Sequence, residues 1–233
     1  MVETSGLENR HGESHREFES HRLRQEMKSM NKEDLIERLK DRGIKEKILK
    51  AIQIIDRKNF VSENNLEEAY EDHPLSIGYG QTISQPYTVA FMLQELELKK
   101  GDRILEIGTG SGWNAALMSY LVGENGEIYS VEVVKELAEK AKEILGDYKN
   151  VFVFNMDGSR GLAQYAPYDK IILTAAPKQM PEEIKKQLGD GGILLAPVGE
   201  YMQKLIKITR KKDKFTETEK GDFIFVPLVN KSQ

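Results

Sequence analysis

A glycine-rich turn, three carboxylates and a Thr-Ile-Ser segment are the parts of this 233-residue chain best suited to binding and reaction. The turn is Gly108-Thr109-Gly110-Ser111-Gly112, entered from the apolar run RILEI (103–107) and followed at once by Trp113 and a helical pattern. Glycines at the end of a strand let a ligand approach the backbone closely, and the helix behind them offers unpaired N–H groups. A dinucleotide fingerprint would place its third glycine at 113, where Trp113 stands, whereas here the glycine comes one position early. Glu132 ends the next strand-like run, where a carboxylate can accept hydrogen bonds from both hydroxyls of a ribose. Asp157-Gly158 follows the third run and is either an acidic turn facing an adenine amino group or an ordinary Asp-Gly turn. Glu106 lies inside the first run among apolar residues, so its carboxylate needs partners. N–H groups of the glycine turn, or a cationic group of the ligand, would supply them. Three acids at three successive strand ends suit an adenosine-containing ligand. Upstream, Ser84 reads as the N-cap of a helix opened by Gln85-Pro86. A capped serine is held in place, and its hydroxyl can serve a reaction as well.

The elements that must position these residues follow from periodicity. After Gly101, strand-like runs at 103–108, 127–132, 151–155, 169–175 and 191–199 alternate with helical patterns at 113–121, 134–145 and 181–188. Runs apolar on both faces and separated by helices predict an α/β fold with a doubly wound, mostly parallel sheet. Two more runs, 203–210 and 222–229, close the chain as an antiparallel pair, with KKDKFTETEKG (211–221) read as a polar loop between them. The basic residues Lys207, Arg210, Lys211, Lys212 and Lys214 of this strand and loop read as a solvated edge rather than an RNA patch. Ahead of the sheet, Asn31 caps one predicted helix, Gly43 breaks the chain, and Ile44, Ile48, Ala51, Ile52 and Ile55 stripe a second. Residues 1–30 form a charged extension, frayed or weakly helical, in which His11 and His15 lack the further ligands a metal would require. The expected organisation is that extension and one domain over 31–233, made of a helical cap (31–75) and a catalytic core (76–233).

The compressed G-x-G-x-G turn resembles that of class I S-adenosylmethionine-dependent methyltransferases. The segment from Ala69 to Tyr87, with Gly78-Tyr79-Gly80-Gln81-Thr82-Ile83-Ser84-Gln85-Pro86, is similar to the hallmark of protein-L-isoaspartate (D-aspartate) O-methyltransferases. EIGTGSGW (106–113), DGSRG (157–161), APYDKIILTAA (166–176), QLGDGGILLAPVG (187–199), FVPLV (225–229) and ILKAIQIIDRKNFV (48–61) extend the resemblance over residues 31 to 229. The departures are Met156 for a usual Gly, Ser76 for a common Pro and Thr88 for a common Met. The resemblance implies a seven-stranded, Rossmann-like sheet with a helical N-terminal cap. It also implies methyl transfer from S-adenosylmethionine, leaving S-adenosylhomocysteine, to the α-carboxylate of L-isoaspartyl, and to some extent D-aspartyl, residues in damaged proteins. The ester then closes spontaneously to a succinimide that partly reopens to aspartate. On this resemblance Ser84 is the catalytic, positioning residue, with Thr82 assisting it or capping a turn. The cofactor-binding set is Thr82, Ser84, Glu106, Gly108, Thr109, Gly110, Ser111, Gly112, Glu132, Val133, Asp157 and Gly158. Gly80, Gln81 and Ile83 would meet the substrate. Trp113 and Tyr87 line the substrate groove or pack the core, and His73 is a surface loop residue rather than a base. No metal is expected. An acceptor carboxylate is ionised near neutral pH and needs no strong base.

Composition bounds the alternatives. Hydrophobic residues make up 39% and charged residues 31%, enough for a core beneath a charged surface. There is no Cys, hence no disulfide, thiolate metal site or thiol nucleophile. A net charge of −4 argues against a general nucleic-acid binder. No apolar run has the roughly 18 residues of a membrane span, and the first twenty residues hold no signal-like apolar core. A cytoplasmic monomer with polypeptide substrates, no nucleic acid and no membrane is expected. Two other readings stay open: the same fold with a different carboxylate acceptor, and a non-catalytic binder of the cofactor. A nicotinamide dehydrogenase is disfavoured by the glycine spacing.

Overall fold

In the computed structural model, residues 29–229 are described; His11, His15 and the rest of 1–28 lie outside them. Two helices come first, α1 (Lys32–Asp41) and α2 (Glu46–Ile54). The Asn31 side chain accepts from the Asp34 N–H while the Asp34 carboxylate accepts from the Asn31 N–H, a reciprocal cap that satisfies two helix-end donors. Each helix buries one apolar stripe, Leu35 and Leu39 on α1 and Ile48, Leu49, Ala51 and Ile52 on α2. A short antiparallel hairpin, β1 (Leu75–Gly78) and β2 (Gln81–Ile83), leads into α3 (Pro86–Glu95).

The main sheet contains β3 (Arg103–Ile107), β4 (Glu127–Glu132), β5 (Val151–Asn155), β6 (Tyr168–Leu173), β7 (Leu188–Val198), β8 (Gln203–Lys211) and β9 (Lys214–Phe223). Its order is β5-β4-β3-β6-β7-β8-β9. The five strands from β5 to β7 are parallel, and β8 and β9 are antiparallel. The intervening helices are α4 (Trp113–Val122), α5 (Lys135–Ile144) and α6 (Glu182–Lys185). The chain builds β3, β4 and β5 in one direction and then returns to β6 on the other side of β3. That reversal opens a crevice at the carboxyl ends of β3 and β6, the usual ligand position in such sheets. Among the described residues no helix is long and apolar enough to cross a membrane.

The closing strands differ from the sequence reading. KFTETEKGDF is not a loop but the edge strand β9, reached through a two-residue turn in which Lys212 takes φ 54°. An edge strand with both faces largely in water carries no apolar alternation, so the polar run looks like a loop in sequence. Residues 224–229 leave the sheet and run across its crevice, tied back to it by a bridge between Pro227 and Ala176 and by the Phe225 N–H, which donates to Gln203 Oε1 of β8. The helix expected over 181–188 is a single turn, because Leu188 already pairs with Tyr168 at the start of β7. Of the basic cluster, Lys211, Lys212 and Lys214 are exposed, as a solvated edge requires, but two members are engaged. Lys207 is buried against Glu95 and Glu97, and Arg210 donates to the Leu188 and Lys212 carbonyls.

Candidate active site

The glycine turn leaves β3 and wraps onto the N-terminus of α4. Gly108 has φ +99°, and a Cβ there would stand 2.2 Å from Thr174 Oγ1, so only glycine lets β3 and the end of β6 approach this closely. Gly110 donates its N–H to Glu132 Oε2 at 2.9 Å, and Val134 donates to Oε1 at 3.0 Å. The carboxylate is thereby held at the end of β4 beside the turn.

Glu106 has other partners than expected. Its carboxyl is fully buried and accepts from Asn114 Nδ2 at 2.7 Å and from the Ser130 hydroxyl, which in turn lies 2.6 Å from Thr109 Oγ1. The side chain sits one layer beneath the turn, where it fixes α4 and Thr109, rather than on the crevice wall. Burial, only partly offset by those hydrogen bonds and reinforced by the charge of Glu132, pushes its pKa up to about 7.

Ser84 is not the cap of α3. Gln85 occupies that position without a side-chain cap, Pro86 follows, and the Tyr87 N–H is met by Asp72 Oδ1 at 2.9 Å. The backbone of Ser84 is committed elsewhere: its carbonyl accepts from the buried guanidinium of Arg57 at 3.2 Å.

Two adjoining cavities meet at this segment. The inner one is walled by Gln81 to Ser84, the turn from Gly108 to Ser111, Val131, Glu132, Val133, Gly158, Trp113 and the strap 225–229. The outer one, about 890 Å³, shares Thr82, Ser84, Thr174 and the strap from Phe225 to Pro227, and adds Arg42, Tyr87, Met202 and Ile224. Of the expected site residues, Thr82, Ser84, Gly108, Thr109, Gly110, Ser111, Glu132, Val133 and Gly158 line the inner cavity, as do Gln81 and Ile83. Four do not. Gly80 turns the β1–β2 hairpin with φ +70°, and Gly112 caps α4 against Leu145. Glu106 is beneath the wall, and Asp157 Oδ1 accepts from the Ser159 N–H in a tight turn. Met156 packs against the core, while its N–H donates to the Glu132 carbonyl.

Trp113 and Tyr87 separate. Trp113 is both wall and core, its indole N–H donating to the Ile55 carbonyl at 3.1 Å, and Tyr87 faces the outer cavity with the Arg42 guanidinium stacked over its ring. His73 bridges to Glu68 at the surface. Sequence reasoning missed Asn114, Thr174 and the strap. Asn114 and Thr174 are single polar residues in apolar surroundings, and the strap was read as part of a strand over 222–229 although Pro227 inside that run is a signal against one.

A profile of the family described as Protein-L-isoaspartate(D-aspartate) O-methyltransferase matches residues 30–233. The chain belongs to this family. Curated relatives named protein-L-isoaspartate O-methyltransferase include one from Methanosarcina mazei, 50% identical over 84% of this chain and 82% of its own length. Another, from Fervidobacterium nodosum, is 48% identical over 83% of this chain and 99% of its own length. A solved protein-L-isoaspartate O-methyltransferase superposes with TM-score 0.78 at 33% identity, covering 84% of this chain and 65% of that one. A putative protein-L-isoaspartate O-methyltransferase from Plasmodium falciparum, in complex with S-adenosyl-L-homocysteine, gives TM-score 0.77 at 28% identity, covering 86% and 99%.

The inner cavity suits the nucleoside that this family uses. The turn leaves no room for a Cβ at Gly108, Gly158 lies hard against Ile107 and Val131, and Glu132 offers a carboxylate at the strand end. Asn114 Oδ1 is buried in the same wall with no hydrogen-bond partner among the described residues. An orphaned buried acceptor is costly, and a bound donor would satisfy it.

Proposed function

We propose that the protein methylates the α-carboxylate of L-isoaspartyl residues in damaged polypeptides, starting their return to aspartate through a succinimide. The observation that carries this reading is that Thr82 and Ser84 stand in the wall common to both cavities. A cofactor in the inner cavity and a polypeptide in the outer one would meet at this common wall, which Thr174 and the strap from Phe225 to Pro227 complete.

S-adenosylmethionine, when bound, supplies an electrophilic methyl group on a sulfonium. Glu132 would hold its ribose, the Ser111 N–H of the glycine turn and Asn114 Oδ1 its amino-acid end, and the Gly158 turn its adenine. The Ser84 hydroxyl donates to one oxygen of the acceptor carboxylate, leaving the other free to react. That carboxylate is already ionised, so the residues need not remove a proton. Their work is alignment, for which well-oriented groups gain large effective molarities. Trp113, Val89, Met92 and Phe225 line the inner cavity with apolar surface and keep water from the reacting atoms. The outer cavity, with Tyr87, Met202 and Ile224 at its wall and the latter two strongly exposed, suits an extended stretch of polypeptide rather than a small molecule. The acidic balance and lack of Cys support a cytoplasmic enzyme without a nucleic-acid partner.

The test is incubation with methyl-labelled S-adenosylmethionine and two peptides that differ only in one isoaspartyl-for-aspartyl linkage. Base-labile label on the isoaspartyl peptide alone is the expected result. Cofactor binding without label on either peptide would overturn it and favour another acceptor or a non-catalytic binder.

A further inference from the structure

Arg57 is the largest charged side chain among the fully buried ones, at 1% exposure. An unpaired buried charge is expensive, and folds retain one only where it is hydrogen-bonded or compensated. Among the described residues no carboxylate forms an ion pair with it. The nearest influence is Asp72, whose oxygens are taken by the Arg42 guanidinium at 2.8 Å and the Tyr87 N–H at 2.9 Å. Four backbone carbonyls take the N–H groups of Nη1 and Nη2, while Nε is buried with no partner among the described residues. Nη1 donates to the carbonyls of Ala69 and Glu71 at 2.9 and 3.2 Å, and Nη2 to those of His73 and Ser84 at 3.0 and 3.2 Å. Three of these acceptors lie in the curled segment 69–73, and the fourth is the carbonyl of the residue at the junction of the two cavities. The cation also lies over the Trp113 ring, 5.6 Å from its centroid, and Trp113 walls the inner cavity.

From this geometry we infer that Arg57 is a positioning residue for the methyl transfer: its fork ties the Ser84 backbone to the 69–73 segment and so fixes where the Ser84 hydroxyl stands. The inference rests on the function proposed above. A planar fork with five donors can serve four carbonyls on two separate segments, whereas an ammonium with three donors on a flexible stem cannot hold the same spacing. Ser84 also lacks the local support that a helix-cap serine would have, because Gln85 holds the cap position. The Arg57 bond is therefore a principal restraint on its backbone.

The experiment uses the full chain and measures kcat and KM for an isoaspartyl peptide, together with the dissociation constant of S-adenosylhomocysteine. The proteins are the unaltered chain, Arg57→Lys, Ser84→Ala and the double variant. A misplacement of the order of 1 Å costs roughly a hundredfold in rate. Arg57→Lys should therefore lower kcat by about 10- to 100-fold, with KM and the product dissociation constant changed by less than about threefold. In the Ser84→Ala background the same change should cost less than about threefold, since the group it positions is gone. Losses that multiply in the double variant, a kcat for Arg57→Lys close to that of the unaltered chain, or a parallel loss of product affinity would each overturn the inference. Arg57→Ala provides a check that does not depend on the lysine variant: millimolar methylguanidinium should raise its kcat where methylammonium does not. Equal or absent effects of the two cations would also overturn it. If the unaltered chain methylates no isoaspartyl peptide, the function itself falls and this inference with it; if it does, the variants judge the inference alone.

Discussion

Replacing Glu106 by Gln should make the stability of this protein less dependent on pH, and the size of the effect follows from the burial of one carboxyl. In the folded chain Glu106 has no exposure to water and its pKa is pushed from the ordinary 4.5 to about 7. A carboxyl raised in this way takes up a proton on folding. Its contribution is intact below about pH 4.5 and is lost as the pH climbs through about 7. At about 1.4 kcal/mol per pH unit, the interval from 4.5 to about 7 corresponds to roughly 3 kcal/mol, of which between about 2 and 3 kcal/mol should disappear between pH 5 and pH 8. For a domain of this size that is about 5–10 °C in Tm. Gln keeps the shape and one acceptor for Asn114, and the Ser130 hydroxyl can turn to accept from the new amide. Guanidinium unfolding at pH 5, 6, 7 and 8, followed through the fluorescence of Trp113, the only tryptophan of the chain, gives both curves. Subtracting one from the other cancels every titration the two proteins share. The variant should gain on the native chain by about 2–3 kcal/mol across that range. Curves that run parallel within about 0.5 kcal/mol would refute the assignment of the raised pKa to Glu106.

Further outcomes follow from other contacts. Gly108→Ala should lower stability by about 2 kcal/mol and weaken S-adenosylhomocysteine binding, because its Cβ would meet Thr174 Oγ1 at 2.2 Å. Adding Thr174→Ala, which leaves that residue's Cβ at 3.6 Å, should restore part of the loss in a thermal melt. Glu132→Gln keeps the shape but removes the charge that accepts from Gly110 and Val134, so calorimetry should show product affinity falling about 10- to 100-fold. Lys207→Met removes the cation shared by Glu95 and Glu97, leaving Lys220 on Glu95, and should cost about 1–2 kcal/mol at pH 7, the lower end reflecting that remaining partner and the exposure of Glu97. Burial raises the Glu95 pKa, but Lys220 and Lys207 lower it by more, and the Lys207 hydrogen bond lowers that of Glu97. Both carboxylates thus contribute stability above their ordinary range and lose it as the pH falls, so the cost of Lys207→Met should shrink towards pH 4 in the same unfolding assay.

Periodicity and punctuation alone were sufficient for the parallel half of the sheet. The runs ending at Ile107, Glu132 and Leu173 are apolar because they are buried inside the sheet, and the run ending at Asn155 is equally apolar in sequence although it forms an edge with Phe152 exposed. The glycine turn and Glu132 were also marked in the sequence, and the structure brings both to the wall of the inner cavity. The 78–86 segment was legible through its resemblance to a known family. What the sequence could not determine were the features set by contacts between distant segments. β9 is polar because it is an edge, and 224–229 is apolar because it crosses the crevice, so local pattern inverts their roles. Ser84 looked like a helix cap from its neighbours, yet its backbone is held by Arg57, twenty-seven residues away. Glu106 was correctly marked as a carboxylate in need of partners, but the partners came from Asn114 and Ser130 on other elements. Sequence records which groups must be satisfied. Only the packed chain, which brings those groups within 3 Å of one another, determines what satisfies them.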